Sequence, residues 1–270
     1  MIDHSFSDRV LELTFARLGR SGATLDFPEK KSLAKHVAKL IEDSTPTILH
    51  TNASLFASAS VEMWQWAVHS FLWSVALTKY SEIWSSVTGY YASHYVMRAF
   101  AHAFGFFKSF SGKKVVQISI RAGHFVVSVL DEKERGEHSF YWKVVKKHPE
   151  FSHNPLFRSN SEKDRTSDCS HRNDANYTDH IGNFDKSGFP RAVELVESVE
   201  KISHIRRFAV TEVGEYPNLS NVQILAYQRI VTFRDFLDKR LPNNHFWRTH
   251  KFPNWCRGII TFELHDPERE

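Results

Sequence analysis

The stretch from Ser54 to Leu77 is apolar almost all the way round, with Trp64, Trp66, Phe71, Leu72 and Trp73 in one run. A helix without a polar face is stable only among other helices, so this segment predicts a central, enclosed helix in a chain built mainly of helices. Its most apolar window, Val61 to Leu77, is interrupted by Glu62, Gln65 and His69 and is shorter than the roughly 20 residues that a bilayer core requires. Burial in protein is therefore expected over a membrane span. With 41% apolar residues and 22 Phe, 8 Tyr and 7 Trp in 270, the chain can build a sizeable core, and a disordered or collagen-like chain is excluded.

The flanking segments share the helical period. Ser7 or Asp8 caps a segment that buries Val10, Leu11, Leu13, Phe15 and Leu18 and ends at Gly19, Ser21 and Gly22. A second helix is expected after Asp26, with Pro28 in its first turn and Leu33, Val37, Leu40 and Ile41 on one side, up to Thr45 and Pro46. Another long helix is expected from Glu82 to Phe107. The period then drops to two: Lys114 to Arg121 and His124 to Leu130 are β-branched runs separated by Ala122 and Gly123, a hairpin signature. His138 to Val145 reads either as a third strand or as the next helix. Asn154 to Pro190 is polar, and a loop of that length is usually functional or disordered. Helical spacing returns after Pro190 (Val193, Leu195, Val196, Val199, Ile202, Ile205) and from about Ser220 to Arg240 (Val222, Leu225, Ile230, Phe233, Leu237). Gly258 to Leu264 reads as a strand able to pair with the hairpin.

The expected class is mainly α with a β component (α+β): an antiparallel helical bundle carrying a small β-hairpin or sheet insertion. Its expected parts are a helical extension at 1–80, a bundle at 81–240 with the insertion at about 113–147, and a C-terminal segment at 241–270. The start MIDHSFSDRV has no apolar signal region, and Cys169 and Cys256 form neither a disulfide scaffold nor a CxxC pair. A cytoplasmic protein without membrane association is the expectation. Lys and Arg outnumber Asp and Glu by 35 to 31, a net charge of +4 that permits nucleic acid without requiring it.

Two segments carry groups capable of chemistry. On the expected helix 82–107, His94, Arg98 and His102 recur at every fourth residue and share a face, flanked by Tyr91 and Tyr95. They serve either as satisfied polar groups at a helix or subunit contact, or as the lining of a cleft. Zinc is not expected there, because His94 and His102 lie about 12 Å apart along the axis. The second segment runs from Arg165 to His180 and includes His171, Arg172, Asn173, Asn176 and Tyr177. Arginine holds phosphate bidentately and histidine moves protons near neutrality, so this composition suits phosphate chemistry, against the alternative of a solvated loop with internally paired charges.

Taken together, Tyr90, Tyr91, Ala92, His94, Arg98 and Ala99, followed by Arg172, Ala175, Asn176 and Tyr177, resemble the HEPN superfamily of helical bundles in prokaryotic toxin–antitoxin and antiviral systems. The resemblance extends from Ile83 to about Phe208. It implies a homodimeric, metal-independent endoribonuclease with no cofactor, in which Arg172 stabilises the phosphorus centre, His180 does the acid–base work and Asn173 orients the phosphate, with His171 and Arg165 as substitutes. It also implies Tyr90, Tyr91, Asn176 and Tyr177 as structural residues and an antitoxin or defence-system protein as partner. The alternative it leaves is a catalytically silent module that binds a protein, a nucleotide or RNA. The family places four to six residues between arginine and histidine; seven separate Arg172 from His180, five separate Arg165 from His171, and four separate Arg240 from His245, where Leu241 and Pro242 break the helix.

RNA contacts are expected from Arg98, His102 and His94 and from a basic and aromatic cluster around the hairpin. That cluster comprises Lys113, Lys114, Arg121, Lys133, Arg135, Lys143, Lys146, Lys147 and His148 beside Phe140, Tyr141 and Trp142. Cations neutralise phosphates while rings stack bases, although lysines also guard sheet edges against aggregation. His245, His250 and Cys256 lack an evident fourth ligand, so no metal is expected.

Overall fold

The computed structural model describes residues 2–20, 53–78, 80–108, 114–131, 137–157 and 219–251. The expected helices at 28–41 and after Pro190, the polar stretch beyond 157 and the strand at 258–264 lie outside the described residues. What is described is mainly helical with one three-stranded antiparallel sheet. No helix among the described residues is long and apolar enough to cross a membrane. The chain divides into two compact units, one made of residues 1–65, 96–158 and 233–255, the other of 66–95, 159–232 and 256–270.

In the first unit, α1 (Ser7–Arg20) buries Val10, Leu11, Phe15 and Leu18, as its spacing predicts. It is joined there by the first part of α2 (Ala53–Leu77) and the last part of α3 (Glu82–Ala103). Helix α3 stops four residues short of the expected Phe107. Gly105 adopts φ 84°, its N–H bonds the His102 carbonyl, and its own carbonyl accepts from Ile118 N at 2.9 Å. A left-handed glycine thus ends the helix and delivers the chain to strand β1 (Phe106–Lys108), which the continuous Phe-rich run did not reveal.

Strand β1 pairs antiparallel with β2 (Lys114–Arg121), with Phe107 opposite Val116, and β2 pairs with β3 (His124–Asp131), with Arg121 opposite His124. The two-residue turn uses φ 46° at Ala122 and φ 77° at Gly123, the positive pair that matches strand twist. One sheet face sends Phe107, Val116, Ile118, Phe125 and Val127 against Val10, Phe56 and Ala59. On the other, Phe106, Val115 and Gln117 are also buried, so the first half of β2 is covered on both faces. Of the two readings of 138–145 the helix holds: α4 (Glu137–Lys147) buries Phe140, Tyr141, Val144 and Val145 at helical spacing.

Helix α5 (Asn221–Arg240) breaks ahead of Pro242, and α6 (His245–His250) begins at the Asn244 cap, whose side chain accepts from Trp247 N and donates to the Phe15 carbonyl at 2.9 Å. Trp247 is fully buried against Trp64 and Phe233, at 5.6 and 6.1 Å between ring centres. Phe100 lies edge-on to Phe151 and Phe233 at 4.8 Å, and most of the aromatic side chains among the described residues are buried.

In the second unit, the remainder of α2, the start of α3 and the start of α5 meet around polar groups. Ser220 and Gln223 form a reciprocal cap at the start of α5: Ser220 N–H donates to Gln223 Oε1 at 2.9 Å and Gln223 N–H to Ser220 Oγ at 3.4 Å. The buried Gln223 amide faces the Ser74 carbonyl, Thr78 Oγ1 and Ser85 Oγ at 3.0, 2.8 and 3.1 Å. Arg229, 3% exposed, donates to Ser93 Oγ at 2.9 Å.

Candidate functional site

Helix α3 positions the first group of candidates, and it turns most of them inward. In the second unit Tyr90 and His94 are buried, with rings parallel within 4° at a centroid distance of 6.5 Å, and the half-buried Tyr91 meets both edge-on. Ala92 and Ser93 are fully buried beside them. In the first unit the Arg98 guanidinium lies 5.5 Å above the Tyr141 ring. His102 is 2% exposed, stacked on Phe107 at 4.1 Å and edge-on to Tyr141 at 5.7 Å.

His102 cannot act as a contact for RNA or as an accessible base. Burial, and secondarily the positive charge of Arg98, hold its pKa well below the usual histidine value, against a smaller pull from the Ala59 carbonyl. That carbonyl lies outside normal hydrogen-bond geometry, and neither ring nitrogen completes a bond. The expected cleft lined by His94 and His102 is therefore corrected: i, i+4 spacing puts residues on one helix face without exposing that face. His94 and His102 are both held within packing, but the unbonded ring nitrogens of His102 do not fit the reading as satisfied polar groups.

The basic and aromatic cluster separates into its two components. Lys146 and Lys147 are exposed on the last turn of α4, and Arg121 and His124 are exposed at the hairpin tip. Trp142 is 4% exposed, and Phe140 and Tyr141 are buried more completely. A base needs an open ring face, so Trp142 is not a stacking platform. The same helical stripe that buries Phe140 and Tyr141 leaves the terminal lysines in solvent. Lys108 is likewise turned inward, its ammonium 5.4 Å over Phe140.

Arg165, His171, Arg172, Asn173, Asn176, Tyr177 and His180 lie outside the described residues, as does Cys256. His250 Nδ1 lies 3.0 Å from the Phe246 carbonyl, and no group of three or more metal-ligating side chains occurs among the described residues.

A cluster that no local pattern announces joins the N-terminal segment to α1, α4 and α5 in the first unit. His4 Nε2 lies 2.9 Å from the Val144 carbonyl and Nδ1 2.9 Å from Ser7 Oγ. His148, assigned from sequence to the basic cluster, is instead buried, stacked on Phe104 at 4.3 Å and edge-on to His4 at 5.1 Å. Glu150 N–H donates to His148 Nδ1 at 3.3 Å, and Asp8 Oδ1 lies 4.0 Å from Nε2. Arg240 spans Asp8, at 3.1 Å, and Glu150. Burial lowers the pKa of His4, opposed by its bond to Val144, and burial with His4 beside it lowers His148 to about 4. His148 and Arg240 lie too far along the chain from His4 and Asp8, and from each other, for any periodicity to link them.

No family model matches the chain, and neither curated proteins nor solved structures provide a similar one.

Proposed function

We propose that the chain is a HEPN-like cytoplasmic protein that cleaves RNA without a metal or cofactor, as a homodimer in a toxin–antitoxin or phage-defence setting, with its chemistry between Arg165 and His180. The observation that carries this reading is the burial of Tyr90, Ala92, His94 and Ala99 on α3. The first half of the resembling motif is spent on packing, and the groups suited to phosphate transfer are concentrated in the second half. The mainly helical architecture agrees with a bundle of that kind. In the proposed reaction His180 takes the proton of a ribose 2′-OH, whose oxygen attacks the adjacent phosphorus. The bond to the 5′ oxygen breaks, and that oxygen receives a proton from the partner subunit's His180, leaving a cyclic phosphate and a free 5′-hydroxyl. Arg172 balances the charge on the five-coordinate phosphorus and Asn173 orients it. RNA contacts are assigned to Lys146, Lys147 and Arg121, and no longer to His94, His102 or Trp142.

The test is incubation of the purified protein with structured and single-stranded RNA in EDTA, beside Arg172→Ala and His180→Ala variants. Cleavage in EDTA that both substitutions abolish is the expected result. Cleavage that survives both overturns the residue assignment, and absence of cleavage of any RNA favours the silent binding module.

A further inference from the structure

We propose that the contact between His4 and His148 is an acid-released latch that holds residues 2–6 of the N-terminal segment against α4. The hydrogen bonds set the protons of both rings. Because the Val144 carbonyl accepts from His4, Nε2 carries the proton and Nδ1 accepts from the Ser7 hydroxyl. Because Glu150 N–H donates to His148 Nδ1, the His148 proton is on Nε2, toward Asp8. A second proton on His4 is tolerated, since the Ser7 hydroxyl can rotate and accept it. A second proton on His148 is not: it would set a ring N–H against the Glu150 N–H and break that bond.

The surrounding charges do not relieve the conflict. Asp3 and His4 face the pair from the N-terminal segment, Asp8 from α1, Lys147 from α4, Glu150 from the turn after it and Arg240 from α5. Both Asp8 and Glu150 are already engaged by Arg240. Two charged imidazoles with centres 5.1 Å apart would repel each other and Arg240. Beyond the His4 ring, the segment is tied to the unit by Gln117 Nε2 donating to the Asp3 carbonyl at 2.7 Å and, where it enters α1, by Ser7 N–H to the His4 carbonyl at 3.0 Å and Val10 N–H to the Phe6 carbonyl at 2.8 Å. Once the segment is detached, the His4 ring titrates as an ordinary histidine near about 6.5, while His148 keeps Phe104 and Glu150 and loses only the neighbouring ring. The docked pair resists those protons, in keeping with its lowered pKa values. Below that pH the detached segment gains population by up to about tenfold per pH unit through His4, and further wherever a charged His148 would face it across the docked contact.

Hydrogen exchange of the full chain at pH 7.5 and pH 5.0, corrected for the intrinsic pH dependence of exchange, tests the latch. Expected is a loss of protection of about tenfold or more at residues 2–8, with 56–68 unchanged. His148→Phe keeps a ring on Phe104 and cannot take a proton, so the acid response falls by about tenfold. Unchanged protection of residues 2–8, equal loss at 56–68, or a His148→Phe variant that responds like the wild type overturns the proposal. Where that variant does not fold, the imidazole resonances of His4 and His148 in the wild type decide. Midpoints below the ordinary histidine value that track the exchange support the latch, and ordinary midpoints overturn it.

Discussion

Ser74 and Ser85 exchange hydrogen bonds across the turn between α2 and α3: each hydroxyl donates to the other's carbonyl, at 2.7 and 2.8 Å. The Gln223 amide is added to this pair from α5. Gln223→Ala removes a buried donor from several acceptors at once and is expected to cost about 2–3 kcal/mol in urea unfolding, since acceptors left dry lose their full solvation. A loss below about 0.5 kcal/mol would mean that water replaces the amide.

Gly89 shows how closely the helices of that unit approach. A Cβ at this position meets Ser74 Oγ and Val222 Cγ1 at 3.0 Å. Gly89→Ala is therefore expected to destabilise by about 1–3 kcal/mol, despite the gain in helix propensity of about 1 kcal/mol that an open site would show. Thermal unfolding that moves upward would contradict the crowding.

The hairpin turn offers a change of opposite sign. Ala122 at φ 46° carries a Cβ in the left-handed region, where asparagine is better tolerated and Asn-Gly is the favoured pair for such a turn. Ala122→Asn is expected to stabilise by about 0.5–1 kcal/mol, measured as a higher urea midpoint at unchanged slope. No change in midpoint would place the strain elsewhere.

Acid should weaken the fold through His102. Its folded pKa lies well below its unfolded value, so in the interval between them the unfolded chain binds the extra proton. Stability is complete above about pH 6.5 and falls as pH drops, by up to about 1.4 kcal/mol per pH unit for this ring. His102→Leu should flatten the dependence of unfolding free energy on pH between about 6 and 4.5 by roughly that slope. An unchanged dependence would show that His102 escapes its burial in the native state.

For RNA affinity, the exposed lysines of α4 are the sharpest test. Replacing Lys146 and Lys147 by alanine should weaken single-strand binding and reduce the slope of log affinity against log salt by about 1.4, two contacts at about 0.7 each. Trp142→Leu, at a buried position, should leave that slope unchanged and lower stability instead. A salt slope indifferent to the lysines would remove this surface from the RNA site.

Local signals with an unambiguous chemistry were readable before any coordinates. The Ala122-Gly123 turn and the Pro242 break each state a backbone preference within a few residues, and each is present. Strand β1 was not readable, because Phe104, Phe106 and Phe107 satisfy helix and strand equally until Gly105 reverses the chain. Of the candidate site, the sequence indicated which residue types matter but not their exposure. The spacing that aligns His94 with His102 holds for a face in water and a face in the core alike. The His4 and His148 contact depends on tertiary packing alone, and only coordinates reveal it.

The Gln223 amide also bears on the order in which the chain assembles. Ser74 and Ser85 are separated by 11 residues, so their exchange can form as soon as α2 and α3 have left the ribosome, whereas Gln223 follows Ser74 by 149. Until it arrives, the Ser74 carbonyl and its neighbours stay open to water and the seam between the two helices lacks its third partner. Completion of the unit thus waits for a side chain made 149 residues after Ser74, so the polar seam of the α2–α3 pair closes only once α5 has been synthesised.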